Sequence, residues 1–242
     1  MSPRRRPAPR RRKVSWQEYP EVATPARRAQ TICWGGLVGV NRFMRIVEYP
    51  HPALLRPTIT LPRVSASIRR DIDEMFDLMY QAGGVGLAGN QVALPWRILV
   101  MNMDHEGHDP ARQEVFLNPT IVARKGSIED DEGCLSFPGL YARIRRAKEV
   151  TVEAYDLSGR LVRRVAKDLE ARAWQHEMEH LDGKVFIDRF GELALLAHRQ
   201  KIVTFEKKFR QLQQQGVIPA DADILDSLER IQSTFEQESA ST

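Results

Sequence analysis

Cysteine is scarce in this chain. Cys33 and Cys134 are its only two cysteines in 242 residues. Two cysteines cannot build the several disulfides that hold small secreted domains together, so that class of protein is excluded. Low cysteine usage is typical of a reducing compartment, and we expect a cytoplasmic protein.

Long hydrophobic runs are also lacking. The apolar stretch from Ile32 to Val40 is interrupted by three glycines and is shorter than the roughly 20 residues that span a bilayer. The N-terminus lacks the charged start, apolar core and small-residue cleavage site of a signal peptide. Ser2 and Ser15 are too few serines for a typical transit peptide. We therefore expect no membrane partner.

Excess positive charge is absent from most of the chain. Residues 1–43 contain ten Lys and Arg against two Glu, a balance of +8, whereas 26 basic and 30 acidic residues give −4 over 44–242. The body therefore lacks the surface of a general nucleic-acid binder, and we expect no specific DNA partner. Residues 1–43 are predicted to be a disordered basic extension, since they hold too little apolar area to order themselves. Upstream codons wrongly included in the gene would look the same, and a weak electrostatic tether to RNA is the functional alternative.

The composition changes at Met44, where a sequence able to bury a substantial core begins. We predict one folded domain over 44–215 and a polar C-terminal tail over 216–242, with a short helix at Asp223 to Phe235. Hydrophobic periodicity predicts the remaining elements. They are helices over Ser65 to Ala82 and Gly191 to Gln213, and strands over Arg97 to Asn102, Val115 to Val122, Val150 to Tyr155 and Leu161 to Val165.

The stretch from His176 to His180 has the pattern H-E-x-x-H. Residues four apart lie on one face of an α-helix, so the two histidines can bind one metal ion. Glu177 would lie beside that ion, where it could take a proton from water and return it to a leaving group. The pattern also arises by chance in solvated helices. A catalytic metal site usually needs a third protein ligand.

Cys134 is the candidate for that third ligand. It is the only cysteine within 44–242, and glycines at 133 and 139 could let its thiolate face a cavity. A lone cysteine is commonly a buried small hydrophobic residue. Alongside two histidines, however, one thiolate completes a three-ligand set that leaves a position open for water.

Three motifs follow one another along the chain: G-V-G-L-A-G-N-Q at 84–91, E-G-C-L-S at 132–136 and Q-H-E-M-E-H-L-D-G at 175–183. Together they resemble the signature motifs of the peptide deformylase family, and the likeness covers about residues 44 to 210. The resemblance implies an α+β fold, with antiparallel strands around a central H-E-x-x-H helix and flanking N- and C-terminal helices. It also implies a metal-dependent hydrolase that removes the N-formyl group from the formyl-methionine of newly made polypeptides and releases formate.

The resemblance assigns the metal site as well. Cys134, His176 and His180 would be the ligands, and Glu177 would act as general base and then as general acid. The implied metal is one ferrous ion per chain, which zinc, nickel or cobalt could replace.

Four further residues would contact the substrate. By the same resemblance, Gln91 and the backbone N–H of Leu135 would bind the formyl oxygen as an oxyanion hole. Val85 and Gly86 would pair with the substrate backbone like a neighbouring strand. The implied partners are N-formylated nascent peptides, and transient contact with the ribosome is expected.

Three positions depart from the family's pattern. Gly89 stands where Ala is usual, which should loosen the turn slightly. Glu179 stands where Asp is usual, so contacts made from that position could change. Tyr141 occupies a position that is Arg in some members. None of these changes removes a ligand or the carboxylate of Glu177.

Two other functions remain to be weighed against deformylation. A zinc endopeptidase could use H-E-x-x-H, but the longer metzincin pattern fails because Phe186 stands where a third histidine is required. A non-catalytic protein that binds the ribosome or RNA through its Arg-rich arm is the second alternative.

Overall fold

The structure is a computed structural model and describes residues 44–104, 107 and 109–240, with side chains up to residue 237. The predicted basic extension over 1–43, with Cys33 and the apolar stretch from Ile32 to Val40, lies outside the described residues. In the part that is described, no helix has the length and apolar character needed to cross a membrane.

Four α-helices and seven β-strands make up the described residues. The helices are α1 (Ala66–Gln81), α2 (Asp168–Leu181), α3 (Glu192–Gln214) and α4 (Asp221–Ala240). The strands are β1 (Gly86–Ala88), β2 (Ile98–Met101), β3 (Glu114–Lys125), β4 (Ile128–Gly133), β5 (Tyr141–Arg146), β6 (Glu149–Tyr155) and β7 (Leu161–Lys167). Short 3-10 helices occupy Pro52–Leu55, Gly89–Val92, Pro110–Arg112 and Phe186–Arg189.

The strands form two antiparallel sheets. The larger has the order β1-β2-β3-β6-β7, and β4 and β5 form a separate two-stranded sheet. Helix α2 packs on the larger sheet: Trp174 and Met178 share a buried cluster with Leu99 of β2, Phe116 of β3 and Val152 of β6. The predicted α+β architecture, with antiparallel strands around the central H-E-x-x-H helix, is thus confirmed.

Helix α1 has the predicted apolar stripe. Its buried residues recur at helical spacing and pack against strands β1 and β2 and against Trp96. Ser65 begins the helix as predicted, because its hydroxyl oxygen accepts a hydrogen bond from the N–H of Ile68 at 3.2 Å. Helix α1 therefore packs against β1, which is an edge strand of the larger sheet in the described residues.

The hairpin of β4 and β5 was not predicted. Residues 128–133 read Ile-Glu-Asp-Asp-Glu-Gly, a composition that is poor in strand formers. Strand β5 carries arginines opposite these acids, with Glu129 paired to Arg145 and Asp131 paired to Arg143. Opposite charges across the ladder favour this pairing and offset the low intrinsic preference.

The segment after Gly216 contains a helix longer than the one predicted over Asp223 to Phe235. Helix α4 runs from Asp221 to Ala240 and is not purely polar, because Ile224, Leu228 and Phe235 are buried. The ring of Phe235 lies 4.8 Å from that of Trp96, between centroids. Our division of the chain at residues 43 and 215 stays a prediction.

Candidate metal centre

Helix α2 presents two histidines on one face. His176 and His180 are one turn apart, with ring centroids 5.0 Å from each other, and both rings are buried. The helix ends at Asp182 and Gly183 as predicted. Gly183 has φ +71°, and a Cβ there would lie 2.6 Å from the backbone nitrogen of Pro57. Glycine is therefore required for the chain to leave the helix at this point.

Cys134 directly follows β4 and meets these histidines across the fold. Its Sγ lies 3.1 Å from Nε2 of His180. One candidate ligand atom from each of Cys134, His176 and His180 lies within 4.8 Å of the others, and we call these three residues the ligand cluster. Metal–sulfur and metal–nitrogen bonds of about 2.0–2.3 Å place tetrahedral ligand atoms about 3–4 Å apart. The observed spacing therefore fits a single ion, and a thiolate with two imidazoles is a donor set suited to a divalent transition metal.

Glu132 orients His176 from the opposite side of its ring. Its Oε1 lies 2.7 Å from Nδ1 of His176, which leaves Nε2 directed at the ligand cluster. Burial would raise the pKa of Glu132, but hydrogen bonds from Arg146 and His176 hold it well below its usual value. Glu132 is therefore ionised, and Arg146 at 2.6 Å and Arg172 at 2.8 Å balance its charge.

The buried ion network extends from Arg146 to Glu179. Arg146 Nη1 donates to Glu179 Oε1 at 2.9 Å, and Nε of Arg189 donates to the same oxygen at 2.7 Å. Burial would lower the pKa of Arg146, but Glu132 and Glu179 together raise it above its usual value. The longer side chain at position 179 thus connects the support of His176 to Arg189, which lies at the protein surface.

Glu177 is buried beside the ligand cluster. Its Oε2 has no hydrogen-bond partner within the described residues, and burial raises the pKa of its carboxyl group to about 7. Gly86 makes room for this side chain, because a Cβ on Gly86 would lie 2.9 Å from both Cγ and Oε1 of Glu177. A buried carboxyl group with one oxygen free of hydrogen bonds at this place can exchange a proton with a bound molecule.

Gln91 is held with its amide nitrogen toward the site. Its Oε1 accepts a hydrogen bond from the N–H of Ala88 at 2.9 Å, and its Nε2 lies 3.3 Å from Oγ of Ser136 and 3.9 Å from Sγ of Cys134. No acceptor for the backbone N–H of Leu135 is found in the part of the chain that the structure describes. Nε2 of Gln91, which donates to Ser136 and Cys134, and the N–H of Leu135 are thus two donors next to the ligand cluster.

A cavity of about 470 Å³ opens onto these groups. Val85 and Gly86 line it, and among the described residues β1 is an edge strand of the larger sheet, paired only on the β2 side. The free edge of β1 can accept an extended peptide. The remaining wall is largely apolar and includes Phe137, Leu140 and Phe205.

Two other departures, Gly89 and Tyr141, also have close neighbours in the structure, as does Phe186. A Cβ on Gly89 would lie 2.6 Å from the carbonyl oxygen of Trp96, so glycine permits a close approach of two backbones here. The ring of Tyr141 packs over Gly133, where a Cβ would lie 2.6 Å from it. Phe186, at the position of the missing third histidine, is buried in the core with its ring centroid 6.0 Å from that of His176.

The structure brings all eight candidate site residues together, and their roles stay a prediction; the residues that support them were not predicted. Cys134, His176 and His180 converge, and Glu177, Gln91, Leu135, Val85 and Gly86 all line the same cavity. The roles of Glu132, Arg146 and Arg172 were not foreseen. Glu132 belongs to the E-G-C-L-S motif, and an acidic residue so close to the candidate ligand Cys134 was the one available signal.

Comparisons with known proteins agree with this geometry. The sequence model of the family described as polypeptide deformylase matches residues 43–195. Peptide deformylase of Rhodopirellula baltica is 40% identical over 181 residues, which are 75% of this chain and 90% of the relative. Peptide deformylase 1B, chloroplastic/mitochondrial, of Arabidopsis thaliana is 35% identical over 192 residues, 79% of this chain and 70% of the relative. A solved structure of peptide deformylase from Plasmodium falciparum matches with a TM-score of 0.67 and 32% identity, over 69% of this chain and 98% of that one.

Proposed function

Because the chain belongs to the polypeptide deformylase family, it is a metal-dependent hydrolase of N-formylated nascent peptides, and we propose that Cys134, His176 and His180 bind its metal ion. The family, the fold and the deformylase activity expected from the three motifs are confirmed by these matches. The observation that supports the ligand assignment is the convergence of three ligand atoms within 4.8 Å beside a buried carboxylate.

The proposed working metal is ferrous iron, with zinc, nickel or cobalt able to replace it. Sulfur and imidazole ligands suit all of these ions, so the assignment of iron rests on the resemblance to the family. When bound, the metal supplies Lewis-acid activation of water near neutral pH. Glu132 holds the His176 ring with Nε2 toward the ion, and its own charge is balanced by Arg146 and Arg172.

Glu177 is the proposed general base and acid. It accepts a proton from the water molecule that attacks the formyl carbon, and it delivers that proton to the departing amine. The carbon–nitrogen bond of the formyl amide breaks, and the products are formate and a peptide with a free N-terminus. The unpartnered Oε2 of Glu177 supports this role, since it leaves an oxygen available for proton transfer.

Gln91 and Leu135 are proposed to bind the formyl oxygen. Negative charge develops on this oxygen as water attacks, and two preoriented N–H donors stabilise it. The N–H of Ala88 fixes the orientation of the Gln91 amide, and its nitrogen would exchange a contact with Ser136 or Cys134 for the formyl oxygen.

Val85 and Gly86 are proposed to pair with the backbone of the substrate along the free edge of β1. We further propose a cytoplasmic protein that contacts the ribosome transiently, because formylated peptides emerge there and the low cysteine content fits a reducing compartment.

The test of this proposal separates metal binding from turnover. Enzyme purified without oxygen is assayed for formate released from a formyl-methionyl peptide, and the same sample is analysed for metal. Glu177→Gln should keep its metal and lose turnover, whereas Cys134→Ser and His176→Ala should lose the metal. Full metal content in both ligand variants would overturn the ligand assignment, and full turnover in Glu177→Gln would overturn the role of Glu177.

A further inference from the structure

A second cavity lies beside the active-site cavity. It has a volume of about 190 Å³ and is formed between the segment from Arg45 to His51 and helix α3. The two cavities share four lining residues: Ile46, Glu48, Phe205 and Lys208. A ligand held in the second cavity would therefore lie next to a substrate held in the first.

His51 contributes a buried donor that lacks an acceptor. Only 2% of this residue is exposed, and its Nδ1 accepts a hydrogen bond from the N–H of Ala53 at 3.2 Å. Burial lowers the pKa of His51 to about 4, with Arg45 adding to the shift and Asp221 opposing it, so the ring is neutral near pH 7. The neutral ring then carries its proton on Nε2, for which the described residues offer no partner. A buried donor without a partner is unfavourable, so an acceptor is expected there.

Arg45 contributes an uncompensated charge to the same cavity. It is half-buried, and its guanidinium forms no salt bridge or hydrogen bond with the described residues. Burial lowers its pKa, although the nearby Glu48 acts in the opposite direction. The positive charge of Arg45 is thus partly removed from water without a bonded counter-ion, which is unfavourable unless an anion binds.

The carboxylates around the cavity already have partners. Glu48 accepts from Lys208 at 2.7 Å, Glu206 accepts from the hydroxyl of Tyr49 at 3.2 Å, and Asp221 pairs with Arg210 at 2.8 Å. None of them forms a hydrogen bond with Arg45 or with Nε2 of His51. The guanidinium of Arg45 and Nε2–H of His51 are therefore two donors on the lining of this cavity that lack an oxygen partner within the described residues.

The other walls of this cavity are apolar. They consist of Val47, Phe205, Phe209, Leu212 and Ile218. Apolar walls lower the local dielectric and strengthen the attraction of Arg45 for an anion. They also contact methylene groups well, so a carboxylate on a short aliphatic stem suits the cavity better than a bare inorganic ion.

We propose that this cavity is a carboxylate-binding site, in which Arg45 and Nε2–H of His51 hold an acidic side chain of the formylated substrate that lies downstream of formyl-methionine. The proposal rests on the deformylase function described above. A free short carboxylate, such as acetate or the product formate, has the same chemistry, and the experiment distinguishes these two sources.

The first arm compares matched peptides on the metal-loaded enzyme. Formyl-methionyl peptides with a C-terminal amide carry Asp or Asn at the third, fourth or fifth residue, and KM and kcat are measured for each. At one of these positions the Asp peptide should have a KM about 5–20-fold lower than the Asn peptide, with similar kcat, as expected for one charge-assisted contact. Arg45→Met should bring this KM ratio close to 1.

Two further variants serve as controls. His51→Asn keeps an oxygen that can accept from the N–H of Ala53 but removes the Nε2 donor, so it should also reduce the KM ratio. Arg70→Met removes an exposed arginine from α1, away from both cavities, and should leave the ratio unchanged. Thermal denaturation of each variant shows whether it is folded.

The second arm uses acetate as a probe. Binding of acetate is followed by NMR line broadening in wild-type enzyme and in Arg45→Met at constant ionic strength. Equal KM values for Asp and Asn peptides, with saturable acetate binding that Arg45→Met abolishes, would support the carboxylate site with a free carboxylate as its ligand. Equal KM values and no acetate binding that depends on Arg45 would overturn the proposal, and the cavity would then hold water only. Absence of formate release from every peptide would instead count against the proposed function.

Discussion

Gly86 lies directly against the side chain of Glu177, because a Cβ added to Gly86 would lie 2.9 Å from both Cγ and Oε1 of the glutamate. The strand that is proposed to hold the substrate therefore also sets the position of the proposed general base. A side chain on Gly86 would therefore meet the carboxyl group of Glu177 directly.

Gly86→Ala should reduce kcat strongly while the protein remains folded. The added methyl group displaces the Glu177 carboxylate, and a displacement of about 1 Å can cost about 100-fold in rate. Formate release measured under steady-state conditions tests this expectation. Gly191→Ala is the matched control, because nothing lies within 4 Å of a Cβ at that position. Equal activity in the two variants would show that Glu177 does not depend on Gly86.

Glu132→Gln should weaken both the fold and the metal site. The variant leaves Arg146 and Arg172 buried without their carboxylate, a change that typically costs about 3–5 kcal/mol. It also weakens the hydrogen bond that orients His176, so metal affinity should fall by about 10–100-fold. Urea denaturation and competition with a chelator measure the two effects.

The control for this variant lies on the same strand. Glu129 is exposed on β4 and forms only a 3.8 Å ion pair with Arg143, so Glu129→Gln should change stability by less than about 1 kcal/mol. If both glutamine variants behaved alike, the buried network around Glu132 would have no special role.

Helix α1 and the candidate ligand residues could be predicted from different kinds of sequence information. Helix α1 could be predicted because Ile68, Ile72 and Met75 recur at helical spacing, and that pattern is local. The ligand set could be predicted because its residues lie in recognisable motifs. The partners of Glu132 could not, since Arg146 and Arg172 lie 14 and 40 residues away and no local pattern relates them.

Helix α4 illustrates a second limit. Its apolar residues Ile224, Leu228, Ile231 and Phe235 recur at helical spacing, so a short helix could be predicted, but the polar residues between them give no sign of the surface on which it packs. Ile224, Leu228 and Phe235 are buried because Trp96 and neighbouring residues of the domain supply the surface against which they pack. Tertiary contacts of this kind determine helix length and are not encoded by local propensity.

Phe235→Ala should destabilise the protein by about 3–5 kcal/mol. The ring is buried against Trp96, and removing it leaves a cavity under α4. Glu236→Ala changes an exposed neighbour on the same helix and should have little effect. Chemical denaturation of both variants makes the comparison. Similar stability of the two would indicate that α4 does not pack on the domain in solution.

Protonation linked to His51 should lower the free energy of unfolding at acidic pH. The pKa of this residue is lowered from 6.5 to about 4 by burial, so the unfolded chain takes up a proton first as pH falls. Its contribution to stability is therefore complete above pH 6.5 and is lost as pH falls through the window from 6.5 to 4. The loss attributable to this group is about 2 kcal/mol at pH 5.

His51→Asn isolates this contribution. Free energies of unfolding are measured at pH 7.5 and pH 5.0 for both proteins, and the variant should lose less stability between these values than the wild type. Subtraction of the two proteins cancels the titration of all other groups. An identical loss in both would contradict the assignment of a buried neutral ring to His51.

The most direct test of the metal centre is anomalous X-ray scattering from crystals of the enzyme purified without oxygen. Data collected on either side of the iron absorption edge should show one peak per chain, at about 2.0–2.4 Å from Sγ of Cys134 and from Nε2 of His176 and His180. A peak at the same place at the edge of zinc, nickel or cobalt would correct the metal and keep the site. A fully active crystal sample with no anomalous peak between these three side chains would contradict the account.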